Sequence, residues 1–388
     1  MTDLLTQIVT QSIKNHEPKW LTEKRKLAFL LMDQLPANKD DDSIMTSLQN
    51  QATELIQPLT PRTQATVDDG NQLVNMDLLT AAQQFPELLQ ENLMEKAINW
   101  QDSQLNALHL ALMTGGRFIY VPDDWHGKAP IVINLTAQQN EHALVIVGAN
   151  AQVDLIEQII GEKSSMNYLG TELLLGANSR VNYYQANQLA GQVNHQEVKV
   201  YQAKESQLQI YAAMFEKVDC QSIINVELNG FGSSATVNMV AMADQQQTQT
   251  IETHINNVAP KTVGQINQHG VAKDASQLNF HATGKIIHGA HQANSQQTSR
   301  ILTLSDTCHG EADPVLLIDE NDVNAGHAAS IGKVDEEQLY YLQTRGITKQ
   351  QAQFLLTSGF LEPVLHQFPS ETLKQQVTSI MKQRLKVG

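Results

Sequence analysis

The sequence predicts a mainly β protein, with short strands stacked into a β-helix and helical segments at both ends. Three observations predict it. First, a phrase that opens on a small or polar residue and then alternates apolar with polar recurs through the middle of the chain. It appears at Ala151–Glu157, Ser179–Gln185, Ser206–Ala212 and Ser234–Val240, at a spacing of about 28 residues, and Ser276–Ala282 reads as a later copy after a longer insertion. Second, the two-residue alternation buries one face of each run, and a fixed period means that each unit must stack on its neighbours to do so. Third, the two ends carry the helical period instead. A β-sandwich would also show short alternating strands. The repeated opening phrase favours the solenoid.

Residues 1–112 form the first region. Leu4, Leu5, Ile8, Val9 and Ile13 share a helical face. A second helix starts near Pro18, where a missing N–H costs nothing, and continues through Leu21, Arg25, Ala28, Leu31 and Met32 to Pro36. Residues from about 37 to 75 are polar, with an aspartate run and two prolines, and read as a mobile or extended linker. Helix returns between Leu78 and Leu112, and Gly115-Gly116 is expected to end it. The β core is expected over 113–332, opening with Phe118–Val121 and Pro130–Leu135 as strands. A C-terminal helical subdomain follows over 333–388. Asp335, Glu336 and Glu337 place negative charge at its first helix start, and Arg345-Gly346 forms the hinge. Thr348 and Gln351 fit a capping box for the next helix, with Gly359 as its expected end. A third helix begins at Ser370, with a stripe of Leu373, Val377, Ile380, Met381 and Leu385. Such short striped helices must dock on something, and capping the solenoid is the simplest use.

The 388 residues carry a formal charge of −15, which disfavours nucleic acid and anionic membranes as partners. No apolar run is long enough to span a bilayer, no leader pattern opens the chain, and the two cysteines form no zinc or CxxC pattern. A cytoplasmic location is the expectation. Neither a Walker A sequence nor a GxGxxG after a strand is present, so the chain carries no nucleotide engine of its own.

Several residues invite chemistry. Cys308 sits beside His309 in a polar turn where exposure would permit thiolate reactions, although the adjacency reads as accidental. Cys220, near a strand start, reads as buried packing. His281, His288 and His291 are spaced like ligands but read as strand and corner residues, and His142, His195, His254 and His269 have no companions at ligand spacing. Many β-helix proteins cleave polysaccharides with stacked carboxylates; here Asp154, Glu157, Glu197, Glu205 and Asp219 fall at unrelated phases. A carbohydrate-active lyase or hydrolase is therefore the alternative function.

The segment from Asp313 to Phe360 closely resembles the C-terminal signature of the SufB/SufD family of iron–sulfur cluster assembly scaffolds, on its SufD-like side. Asp322, Val323, His327, Ala329 and Gly332 match the family pattern. Ala325 stands where many relatives carry cysteine, Ala328 replaces a usual glycine, and the glutamate that follows the histidine in SufB-like chains is missing. Weaker matches include Pro18 with Trp20, Leu105–Ala107 and Val121-Pro122. The resemblance implies a right-handed parallel β-helix and a non-catalytic scaffold role. It implies pairing with a SufB-like subunit through the end of the helix, docking of a SufC-like ATPase, and a homodimer when the chain is alone. It makes His327 a candidate ligand or support for iron or a nascent cluster at the partner interface, with Cys308 a weaker candidate and no firmly bound cofactor. It assigns the ATPase-docking surface to Tyr340, Tyr341, Arg345, Gly346 and, on the next helix, Phe354. Clusters prefer thiolates, so with Ala325 in place of cysteine a partner must supply them.

Overall fold

A computed structural model describes residues 2–38, 41–42, 44–46, 48–49, 66–68, 73–136, 140–160, 167–187, 194–368 and 370–386. From Gly115 the chain winds between two sheets. Among the described residues, one sheet holds ten strands: β1 (Thr66–Asp68), β2 (Leu73–Asp77), β3 (Gly115–Val121), β5 (Glu141–Val147), β7 (Asn167–Leu175), β9 (Asn194–Gln202), β11 (Cys220–Leu228), β13 (Thr248–Asn257), β15 (Gln277–Ile286) and β17 (His309–Ile318). The other holds eight: β4 (Ile131–Thr136), β6 (Gln152–Ile160), β8 (Arg180–Asn187), β10 (Gln207–Met214), β12 (Ser234–Ala243), β14 (Val263–Ala272), β16 (Asn294–Thr303) and β18 (Asn324–Lys333). From β3 onward each strand pairs in parallel with the one a coil away. Like residues therefore stack. Asn182 donates to Asp154 across 28 residues, Gln209 to Thr236 across 27, Asn267 to Asn238 across 29 and Ser299 to Gln268 across 31. This is a β-solenoid, and its apolar core lies between the two sheets, from Ile119 and Ile133 to Phe280 and Ile301.

The repeated phrase turns out to be the corner. Asn150, Asn178 and Glu205, just before it, adopt left-handed backbone with φ of 58°, 57° and 55°. Their N–H groups each donate to a carbonyl of the next coil, at Ala177, Lys204 and Phe231. Ser206, Ser233, Thr262 and Ser276 close their turns by donating a hydroxyl to the carbonyl three residues back. The fifth copy is misplaced by the sequence pattern. Ser276 leads into β15, in the opposite sheet, so it marks the other corner, and no insertion precedes it. Gly115-Gly116 also differs from expectation. The helix ends at Leu112 and the glycines open β3, where a Cβ on Gly116 would lie 1.7 Å from the carbonyl oxygen of His142.

The N-terminal helices α1 (Thr2–Lys14), α2 (Lys19–Leu31), α3 (Leu78–Gln84), α4 (Pro86–Asn92) and α5 (Gln104–Leu112) cover the outer face of the first sheet. Their shared core includes Phe118, Leu144, Tyr168 and Leu174 from β3, β5 and β7. Buried Arg25 pairs with Glu17 at 2.8 Å and donates to the carbonyls of Leu110 and Met113, tying α2 to the end of α5. The polar stretch is not all linker. Ile44 and Leu48 are buried in this core, and β2 pairs antiparallel with β3, while residues 50–65 lie outside the described residues.

The C-terminal helices α6 (Glu336–Thr344), α7 (Lys349–Leu365) and α8 (Glu371–Arg384) do not cap the solenoid end. α7 and α8 lie along the outer face of the second sheet, where Tyr184, Tyr211, Phe215, Val240 and Met242 meet Leu361, Val364, Phe368, Val377 and Met381, and α6 packs on α7. Buried Arg384 fixes α8 there by donating to the carbonyls of Met242 (2.8 Å) and Phe215 (2.6 Å) and to that of Glu216. The capping box at Thr348 and Gln351 forms as its spacing predicts. Gly359, however, does not end α7, which runs on through Pro363 to Leu365. Pro363 has no N–H to offer the Gly359 carbonyl, so the glycine marks a weak point inside the helix and not its stop.

Candidate functional site

The last coil decides where the candidate site lies. β17 and β18 are the end strands of their sheets, each with a partner on one side only among the described residues. Their free edges present unpaired backbone donors and acceptors. The side chains carry the same message. In β16 the buried row is Ser295, Gln297, Ser299 and Ile301, and register places Ala325, His327, Ala329 and Ile331 of β18 above it. In β15 the buried row is Leu278, Phe280, Ala282, Gly284 and Ile286, with Gly310, Ala312, Pro314, Leu316 and Ile318 above it. Paired residues in parallel strands share a face. The solenoid therefore ends on an uncovered layer of its own core. Ile318 and Ile331 are 46% and 50% exposed, and outward-facing Leu317 beside them is 50% exposed.

His327 is exposed and sits in that inward-facing row between Ala325 and Ala329. The other sequence candidates do not join it. Cys308 is half-buried, not exposed as its turn suggests. Its thiol donates to the carbonyls of Ser305 (3.1 Å) and Ala272 (3.4 Å), which closes the corner before β17. Cys220 is buried, and that burial pushes its thiol well above the usual range. His288 and His291 come to one corner with Glu320, whose Oε2 lies 3.2 Å from the His291 Nδ1 and accepts the Gly289 N–H. That backbone bond, with a second from Asn321, holds the Glu320 carboxyl below the ordinary range. His281 stays apart on β15. No group of three His, Cys, Asp or Glu with metal-ligand geometry occurs among the described residues.

The second candidate surface is the start of the C-terminal subdomain. The Asp335 carboxylate caps α6 by accepting from Glu337 and Gln338 N–H. Leu339 is buried beneath it, while Tyr340 (71%) and Tyr341 project outward. The Arg345 guanidinium lies 5.2 Å from the Tyr341 ring centroid and donates to its hydroxyl at 3.3 Å, a preformed aromatic–cation pair. Gly346 turns the chain with φ of 83°. Phe354 departs from this group. It is half-buried against the α7–α8 core with the Lys382 ammonium 5.7 Å from its ring, while its neighbour Leu355 is the exposed apolar residue of α7.

The most developed polar cluster has no local sequence signature. His109 on α5 donates Nδ1–H to Asn140 Oδ1 at 2.5 Å, its Nε2 lies 3.0 Å from His142 Nδ1, and His142 Nε2 lies 2.9 Å from Glu172 Oε1. Glu172 also accepts the backbone N–H groups of Met94 and Ile98. Asn140 donates its own amide to the His109 carbonyl, which fixes the direction of the chain of bonds. Burial holds His109 well below the usual imidazole range. His109, His142 and Glu172 are fully buried, so this is a clamp between the N-terminal helices and the sheet. Separations of 33 and 30 residues hid it.

Comparison with known proteins agrees with this architecture. Residues 131–360 match the family model described as SUF system FeS cluster assembly, SufBD core domain. The chain is 30% identical to the iron–sulfur cluster assembly protein SufD of Bacillus subtilis, over 97% of this chain and 96% of that one. It is 25% identical to an iron–sulfur cluster assembly SufBD family protein of Staphylococcus saprophyticus, over 70% of this chain and 60% of that one. A Mycobacterium tuberculosis member of the family is 30% identical over 38% of this chain, but the match spans only 17% of that longer protein. No helix among the described residues is long and apolar enough to cross a membrane.

Proposed function

Since this chain belongs to the SufB/SufD family of iron–sulfur cluster assembly proteins, we propose that it is the SufD-like scaffold subunit, pairing end-on with a SufB-like solenoid and docking a SufC-like ATPase. The observation that carries this reading is the uncovered core layer around His327. A second solenoid seated there would extend both sheets and bury Leu316, Ile318 and Ile331. With no partner present, a second copy of this chain offers the same edge and gives a homodimer.

Iron or a nascent cluster is the cargo in this reading, and the chain performs no covalent step on it. The inward row of the rim offers the cargo one imidazole, His327, and position 325 is alanine. Both thiols face inward to other partners. The chain's own residues thus suit a supporting ligand, with thiolates supplied across the junction. Tyr340, Tyr341 and the stacked Arg345 suit capture of an ATPase that pulls on α6 while α7 and α8 stay fixed to the second sheet. Co-expression with the partner subunits and mass measurement of the complex tests the reading. A His327→Ala chain should still assemble, yet leave client proteins without clusters. Normal client maturation with that substitution rejects the site.

A further inference from the structure

Beneath His327 the solenoid holds a polar side chain that its own fold does not satisfy. Gln297 on β16 is 3% exposed and lies one coil below His327 in the same inward row. Its amide is anchored at one end, because Nε2 donates to the Val315 carbonyl of β17 at 3.0 Å. At the other end Oε1 is buried with no hydrogen-bond partner among the described residues. A buried amide oxygen without a donor is costly. The rest of the layer offers little else: Ala325 and Ala329 flank the imidazole and bring no donors.

We propose that Gln297 is a positioning residue for His327, its Oε1 accepting the imidazole N–H when a partner covers the rim. This rests on the role of His327 proposed above. An imidazole donating one N–H to an amide oxygen is fixed in one tautomer, and its other nitrogen keeps a lone pair. With the first nitrogen turned down toward Gln297, the second points out of the solenoid mouth into the junction. Gln297 thereby converts a histidine on an end strand into an oriented donor. In earlier coils the same row holds Leu155, Tyr183, Ile210, Val237 and Ile266, and its one polar atom before Gln297, the Tyr183 hydroxyl, is satisfied by Glu157 at 2.7 Å.

The test uses the co-expressed complex and the isolated chain at a concentration where light scattering gives a single copy, both labelled with 15N-histidine. The His327 signal is assigned by its loss in His327→Ala. The expected result is one neutral tautomer with a hydrogen-bonded N–H in the complex, and mixed tautomers in the isolated chain. Gln297→Met keeps the shape and removes the acceptor. It should restore mixed tautomers in the complex and lower client maturation about 10-fold, the scale of lost outer-shell support. Adding it to His327→Ala should make nothing worse. If Gln297→Met prevents folding, the unsubstituted complex still decides, because mixed tautomers there overturn the proposal. Impaired His327→Ala beside an unaffected, well-folded Gln297→Met overturns the role of Gln297 alone. An unimpaired His327→Ala overturns the role of His327 and this inference with it.

Discussion

At its first coils the solenoid is closed by its own chain. β2 turns back antiparallel on β3, Asn75 reaches across to the Val132 carbonyl of β4, and the N-terminal helices bury the outer face of β3, β5 and β7. Beneath them His109, His142 and Glu172 are fully satisfied and sealed from water. At its last coil nothing among the described residues lies beyond β17 or β18, and His327 stands exposed over a glutamine with an unpartnered oxygen. One end shows how this chain finishes a solenoid when it intends to. The other shows the same core layer left uncovered, the edge that the proposed pairing would cover.

The contrast is sharpest in stability. Glu172→Leu strands the Met94 and Ile98 N–H groups and the His142 imidazole, and should cost about 3 kcal/mol or more in urea denaturation. His327→Ala should stay within about 0.5 kcal/mol of the parent. Equal losses at the two sites would erase the distinction between clamp and rim.

The rim itself should respond in association rather than in folding. Leu316→Asp with Ile331→Asp places charge in the layer that a partner must bury. About 2 kcal/mol of lost binding per residue is expected, read by titrating the complex, with an unchanged melting temperature for the isolated chain at a concentration where it is a single copy. A lowered melting temperature would mean that these side chains already serve the monomer's own core. Truncating both Tyr340 and Arg345 to alanine should weaken ATPase capture by about 1–2 kcal/mol in co-purification, and leave rim pairing alone. Loss of both associations together would join the two surfaces into one.

The smallest effect is with pH. Burial depresses His109, His195 and His269 in the folded state below the unfolded imidazole value of 6.5. The unfolded chain therefore takes up protons that the folded chain refuses, and stability is full above that value and declines as pH falls below it. At pH 6 the loss is about 1 kcal/mol or less per histidine. His109→Gln should flatten the decline in a series of denaturation curves, and an unchanged slope would remove His109 from the clamp's proton balance.

Period-two alternation and the serine corners made the solenoid legible, because corner chemistry repeats with every coil. The same regularity misled at Ser276, where an identical turn serves the opposite sheet. Helix starts were readable from Asp335, Thr348 and Ser370, since caps act locally. The end of α7 was not, because tertiary packing of Leu361 and Val364 carries the helix past Gly359. His327 stood out through its motif, but its inward row depends on strand register. The His109 clamp, Gln297's free oxygen and the engaged Cys308 thiol arise from residues a coil or more apart, and no local pattern marks them.

Hydrogen exchange at β17 and β18 tests the central claim most directly. With the chain at a concentration where light scattering gives a single copy, the amides from Asn324 to Ile331 should exchange rapidly on the free edge. They should become protected in the complex with the partner solenoid, while the β5 and β7 amides stay slow in both. Slow exchange of that edge in the lone chain, or no added protection in the complex, would contradict the account.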